Sequence, residues 1–289
     1  MAEPHQLLLR PFLAGKDEVH VRLSTQCDRR PLKGHDKNLQ SRWETALREN
    51  PRIFDASKFR LHRAEKDQQT GHVTLHLGLT SYKEYLGTNR ADEHSRTILR
   101  DNGMREFADA NAHLSNALGC EAVLVTSDSF VALLQRSCAV ATHGGLFNGP
   151  SGHPEPSRAR ISHDAWTTLS EKEMLDASLR ARDELFASVV QETEEEINVS
   201  AQDLGNPKLI GVMADSTGKP DMLFLLETKL DAAQVRDAYA RGASEAWESD
   251  QLQLVKVESL STCSLPLTAV TMAAVECFRA VHQLRCNGK

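Results

Sequence analysis

Between Ser170 and Asn198 the chain carries one continuous helical pattern, and no other stretch restricts the fold as strongly. Ser170-Glu-Lys-Glu173 is a capping box, in which a hydroxyl and a carboxylate satisfy two orphan backbone donors at a helix start. Asn198 suits the position just past the last turn, because Asn tolerates the left-handed backbone that ends many helices. The 27 positions from 171 to 197 make a long helix, so a break near 176–178 is allowed for. Around it, strand patterns come in pairs. Residues 58–63 and 73–79 alternate about the turn DQQTG and read as a β-hairpin. Residues 122–126 and 130–134 flank Ser127-Asp128-Ser129, and residues 209–213 and 222–226 flank a turn holding Gly218 and Pro220. A helix follows from Leu39, Trp43 and Leu47 at i, i+4, i+8. Residues 91–117 read as helix-rich, 235–240 and 268–284 as helical, and 251–257 as a strand. Hairpins mixed with helices, without steady βαβ alternation, predict an α+β protein with a mixed sheet.

At about 150 residues per domain, 289 residues make one large or two modest domains, and a soft boundary near 118 divides 1–117 from 118–289. The net charge of -6 supplies no basic field to recruit nucleic acid or an anionic membrane. No apolar run approaches the roughly 18 residues of a spanning helix, and the leucines before Arg10 are too few for a secretory core. An intracellular protein, cytoplasmic or nuclear, is expected. The six cysteines form no CxxC pair and no Cys-His zinc spacing, which suits reduced structural thiols. There is no GxGxxG, GxxxxGK[ST] or GxSxG. The 143–156 stretch, with four glycines and three prolines, must be loop.

The far end of the long helix reads Gln191-Glu192-Thr193-Glu194-Glu195-Glu196-Ile197-Asn198-Val199. At about 100° per residue, Glu192, Glu195 and Glu196 share one face, the apolar residues lie beside them, and Glu194 points away. Like charges at i, i+4 cost about 0.2–0.5 kcal/mol per pair, and acids at a helix C-terminus oppose the dipole by about 0.3–1 kcal/mol. No Lys or Arg lies between Gln191 and Val199 to relieve this. Either the face is simply solvated, or a divalent cation, which takes carboxylate oxygens, occupies it.

This segment resembles the Nudix box, whose pattern is G, five residues, E, seven residues, R-E-U, one residue, E-E, one residue, G-U, with U bulky and apolar. Both acidic clusters are present; Gln191 stands for Arg, Thr193 for U, Asn198 for Gly and Ala177 for the first Gly, and Glu184 is one residue out of step. The strings DRRPL at 28–32, FDASKFRLH at 54–62, LGLTSYKEYLGTN at 77–89 and GHPEP at 152–156 extend the likeness over nearly the whole chain, to the UDP-sugar diphosphatases among the Nudix hydrolases.

The resemblance implies a Nudix α/β/α sandwich, with an N-terminal α+β segment for substrate recognition packed on it. It also implies Mg²⁺-dependent splitting of UDP-glucose or UDP-galactose into UMP and sugar 1-phosphate. Glu192 and Glu196 would be metal ligands and Glu195 a third ligand or a base holding a water. Phe54 and Tyr82 would contact the nucleotide, by stacking on uracil; without the resemblance both read equally as core packing. Arg136 would meet phosphate oxygens, though a surface arginine is the plain alternative. His153 would donate to a phosphate or sugar oxygen. Asn148 stands where the family has Asp, Ser151 where it has a second Gly, and Thr268 where it offers a hydroxyl. Two rivals remain open: a Nudix-derived module that binds a nucleotide sugar without cleaving it, and a diphosphatase for ADP-ribose or a dinucleotide. The sequence is silent on oligomeric state.

Overall fold

A computed structural model describes residues 4–51, 53–137, 144–163, 165–242, 244–245 and 249–287, with residues 286 and 287 described by backbone alone. Its strands are β1 (His5–Leu9), β2 (Val19–Leu23), β3 (Ser57–Lys66), β4 (Val73–Ser81), β5 (Gly119–Val125), β6 (Phe130–Arg136), β7 (Phe147–Asn148), β8 (Ser151–Gly152), β9 (Lys208–Asp215), β10 (Pro220–Glu227) and β11 (Ser249–Lys256). The α-helices are α1 (Lys33–Asp36), α2 (Leu39–Glu49), α3 (Tyr82–Gly87), α4 (Glu93–Phe107), α5 (Glu171–Ile197), α6 (Ala232–Ala240) and α7 (Ala269–Asn287). The class is α+β, and the three expected hairpins are β3-β4, β5-β6 and β9-β10. Among the described residues no helix is long and apolar enough to cross a membrane.

The main sheet runs β1-β9-β10-β5-β6-β11, with β10 and β5 parallel and the other neighbours antiparallel. Its two faces are read off β5 by alternation. Cys120, Ala122 and Leu124 share a core with Leu185, Val189 and Ile197 of α5. Val123 packs instead with Ala273, Ala274, Cys277 and Phe278 of α7. Helices thus cover both sides of the sheet. β5 and β6 pair only at Leu124–Ala132 and Val125–Val131; beyond that β5 takes β8 as partner and β6 takes β7. The strands therefore part, and the 144–156 segment enters the gap between them.

A second sheet, β2-β4-β3, lies against the first half of α5. Here α5 does not break. Ala177, Ser178 and Ala181 are buried, and small side chains let the helix approach β2 closely. Ser178 Oγ accepts from Leu23 N–H at 3.1 Å and donates to Met174 O at 2.8 Å, so the hydroxyl docks the helix on the strand. Each fully buried apolar side chain along α5, such as Leu185 or Val189, contributes about 1.5–3 kcal/mol.

The helix-rich reading of 91–117 is correct only as far as Phe107. Ala108 takes a left-handed φ of 53°, and a side chain at Gly103 would meet Asp109 O at 2.5 Å, so the chain folds back tightly on the helix end. Residues 109–118 then form turns whose Leu114, Ala117 and Leu118 are buried, imitating helical spacing without a helix. Cys27, Cys120 and Cys277 are buried free thiols and Cys263 is partly buried; Cys138 and the Cys286 side chain lie outside the described residues, as does His143.

Candidate active site

α5 delivers its acidic end to the gap between β5 and β6. Ser170 caps the start with Glu173 as expected, and Asn198 closes the end at φ 63°. Glu196 is buried and accepts from Ser151 N–H at 3.2 Å. Glu192 lies against Gly152, where any Cβ would collide with its carboxylate. Glu192, Glu195 and Glu245 each offer one oxygen, all within 4.8 Å of one another. Glu245 arrives from the segment after α6 and is tied by its N–H to Glu195 O at 2.9 Å. Burial and the neighbouring Glu195 raise the pKa of Glu245. Glu194 points away, as its helical angle requires, and accepts from Ala201 N–H at 2.7 Å. Hard carboxylate oxygens gathered in this way suit a divalent cation.

The remaining predicted residues lie on several elements: Phe54 before β3, Tyr82 at the start of α3, Arg136 at the end of β6, Asn148 and His153 in and just after β7 and β8, and Thr268 before α7. His153 is partly buried, and desolvation together with Lys219, Lys58 and Arg136 pushes its pKa well below the ordinary histidine value. A shift in that direction favours the neutral imidazole, which can both donate and accept. Arg136 closes β6, its backbone paired with Leu146 and Gly145. Phe54 is 72% exposed, and Tyr82, half-buried edge-on to Trp43, donates its N–H to Ala56 O at 2.9 Å. Residues 54–56 and Tyr82 are thus held side by side. Asn148 is buried and donates to Ser151 Oγ at 2.8 Å. Thr268 is buried and caps α7, accepting from Thr271 N–H at 3.2 Å. A cavity of about 860 Å³ at the opposite end of α5, lined by Arg60, Phe107 and Met174 among others, contains none of the predicted residues.

Five residues near the site escaped the sequence reading. Glu121 is buried on β5, and desolvation raises its pKa to about 8, with the Thr271 hydroxyl and Gly149 N–H holding it and Oε1 facing no hydrogen-bond partner. Asp221 is buried on β10, and desolvation raises it to about 6 despite Lys219 beside it. Glu121 is the one charge in the apolar strand GCEAVLV, and Asp221 precedes the apolar run MLFLL in PDMLFLLE, which was a usable signal. Lys58, Lys219 and Glu245 carried none, since single charges at strand ends and in loops are ordinary.

No family model matches the chain. Uridine diphosphate glucose pyrophosphatase NUDT22 of Mus musculus is 40% identical over 258 residues, covering 87% of this chain and 81% of that protein. The Homo sapiens protein of the same name is 36% identical, covering 85% and 80%. Nudix hydrolase 9 of Arabidopsis thaliana is 30% identical over 269 residues, covering 89% and 84%. The chain belongs to the Nudix hydrolase family. A solved Nudix hydrolase from M. Smegmatis, RenU, aligns with 58% of the chain and 84% of its own at 14% identity and a TM-score of 0.30.

The places where this Nudix hydrolase departs from the family box have local explanations. Asn198 takes the left-handed position left by glycine and donates Nδ2–H to Ala238 O at 3.0 Å. Thr193 fills an apolar position because its hydroxyl donates to Val189 O at 2.8 Å within the helix. Gln191 donates to Glu195 Oε1 at 2.6 Å and accepts from Arg158 of the preceding loop. Nudix hydrolases generally use divalent metals, and the three-carboxylate cluster fits that requirement.

Proposed function

We propose that this chain hydrolyses the diphosphate of UDP-glucose and UDP-galactose to UMP and sugar 1-phosphate, with Mg²⁺ as its cation. The observation that carries the reading is the convergence of Glu192, Glu195 and Glu245, with Glu192 against Gly152 of β8 where β5 and β6 part. The relatives named for UDP-glucose pyrophosphatase, matched over about four fifths of their length, supply the substrate class.

Glu192 and Glu196 would hold the metal, with Glu195 as third ligand or as base for a water, and Glu245 within reach of Glu192 and Glu195. When bound, the cation polarises phosphoryl oxygens and lowers the pKa of a coordinated water. The chain's own residues bind and orient. Phe54 and Tyr82 stack on uracil, Arg136 forks onto phosphate oxygens, and Asn148, His153 and Thr268 offer polar contacts to the substrate. Residues 1–117 serve recognition and 118–289 hydrolysis. The working compartment is cytoplasmic or nuclear, where Cys27, Cys120 and Cys277 stay reduced.

The test is incubation with UDP-glucose and Mg²⁺, followed by chromatography for UMP and glucose 1-phosphate. Absence of both products, with metal affinity unchanged in Glu192→Gln and Glu196→Gln, ends this reading. A protein that only binds would hold UDP-glucose equally well in EDTA, and one built for adenine would be inhibited more strongly by ADP-ribose than by UMP.

A further inference from the structure

The cleft holds two lysines with no role so far. Lys58, on β3, is 13% exposed in its side chain, with Nζ 3.7 Å from Glu155 Oε1. Lys219, immediately before β10, is 12% exposed in its side chain, with Nζ 2.5 Å from Oδ1 of Asp221, itself 5% exposed. Withdrawing an ammonium from water is unfavourable unless partners replace its hydration, and each ammonium has three donors to satisfy. One carboxylate apiece leaves donors over.

The Lys219 pair is built into the fold. A Cβ on Gly119, the β5 residue opposite Asp221, would strike Asp221 Oδ1 and come within 2.5 Å of Lys219 Nζ, so glycine there makes the room. Asp215 Oδ1 accepts the N–H groups of Thr217 at 2.8 Å and Lys219 at 3.0 Å, fixing the turn. Asn89 Nδ2 reaches Thr217 O at 3.3 Å and anchors that turn on the N-terminal segment. Lys58 comes from the second sheet and lies near Glu192 as well as Glu155. Cys120 of β5 pairs with Gly152, which sets His153 beside Gly119 and hence beside the Lys219–Asp221 pair, and the charges of Lys58 and Arg136 also reach His153. Positive charge brought into one cleft by three separate elements suits a multiply charged anion.

We propose that Lys58 and Lys219 join Arg136 in a cradle around His153 for the diphosphate of the substrate, with Asp221 as the seat that aims Lys219. This rests on the diphosphatase reading and adds two binding residues and one positioning residue to it. The cradle places the anion where the N-terminal segment, the β9-β10 hairpin and the box meet, so both parts of the chain grip one group.

Calorimetric titration with inorganic pyrophosphate in EDTA tests it without any hydrolysis. Lys58→Met should weaken binding about tenfold or more, as loss of a charge-assisted contact does. Lys219→Met leaves Asp221 buried alone, so Lys219→Met with Asp221→Asn is the companion variant, and it should show a similar loss. Lys219→Arg should keep affinity within about threefold, the charge being retained. In turnover of UDP-glucose the same losses should appear chiefly in KM. If folded Lys58→Met and the double variant bind pyrophosphate within about twofold of the unaltered protein, or if that protein binds none, the cradle is wrong. Glu192→Gln product assays judge the hydrolysis reading separately.

Discussion

The two ends of α5 follow opposite rules. At its start, Ser170 and Glu173 cap each other's backbone donors and Glu171 sits at the positive end of the dipole, so every local preference is met. At its end, Glu194, Glu195 and Glu196 crowd the negative pole with no basic residue in the last turn. Individual relief comes from Ala201 N–H to Glu194, Ser151 N–H to Glu196 and the Gln191 amide to Glu195, while Glu195 also meets a further carboxylate in Glu245. A helix that is locally consistent where it is structural and frustrated where it meets a cleft marks the cleft as the place where stability was set aside.

The strongest way to break that contrast is Glu192→Gln. Turnover should fall by at least about a hundredfold, while thermal stability should hold or rise by a few tenths of a kcal/mol as like-charge repulsion eases. Chromatographic assay beside calorimetric melting checks both, and a melting loss without an activity loss would reverse the assignment of this end. Next comes Gly152→Ala, whose methyl must displace the Glu192 carboxylate. Overpacking of this kind costs about 1–3 kcal/mol, and we expect a several-fold or greater drop in kcat.

Stability against pH sharpens the comparison from the neighbouring strand. Burial raises the Glu121 carboxyl from 4.5 to about 8, so the native state keeps a proton that the unfolded chain releases. The contribution of this group is complete below the unfolded value and is lost as pH climbs through about 8. Glu121→Gln should flatten that decline in denaturant titrations across the same window; an unchanged slope would show that Glu121 does not titrate there. Smallest is Ser170→Ala, which should lower stability by about 1 kcal/mol and leave turnover of UDP-glucose untouched.

Much of this was legible in advance because it is periodic. The hairpins, both caps of α5 and the outward aim of Glu194 follow from alternation and from the turn of a helix. The errors lie where spacing is ambiguous: residues 109–118 bury apolar groups at helical intervals through turns, and 176–178 stays helical because Ala177 and Ser178 dock on β2. Of the site, Glu192, Glu195 and Glu196 were visible as one face of one element. Glu245 was invisible, standing fifty residues after Glu195 and meeting it only through the path of the chain beyond α6.

Residue order alone established the α+β class, the long capped helix and a triad of acids facing one way, since each depends on neighbours within a few positions. The folded chain supplied what local order has no means to specify: the parting of β5 from β6, the burial of Glu121 and Asp221, and the pairing of Lys58 with Glu155. Those relations join residues far apart along the backbone, and their energies arise from desolvation and Coulomb forces that exist only once sheets and helices have packed.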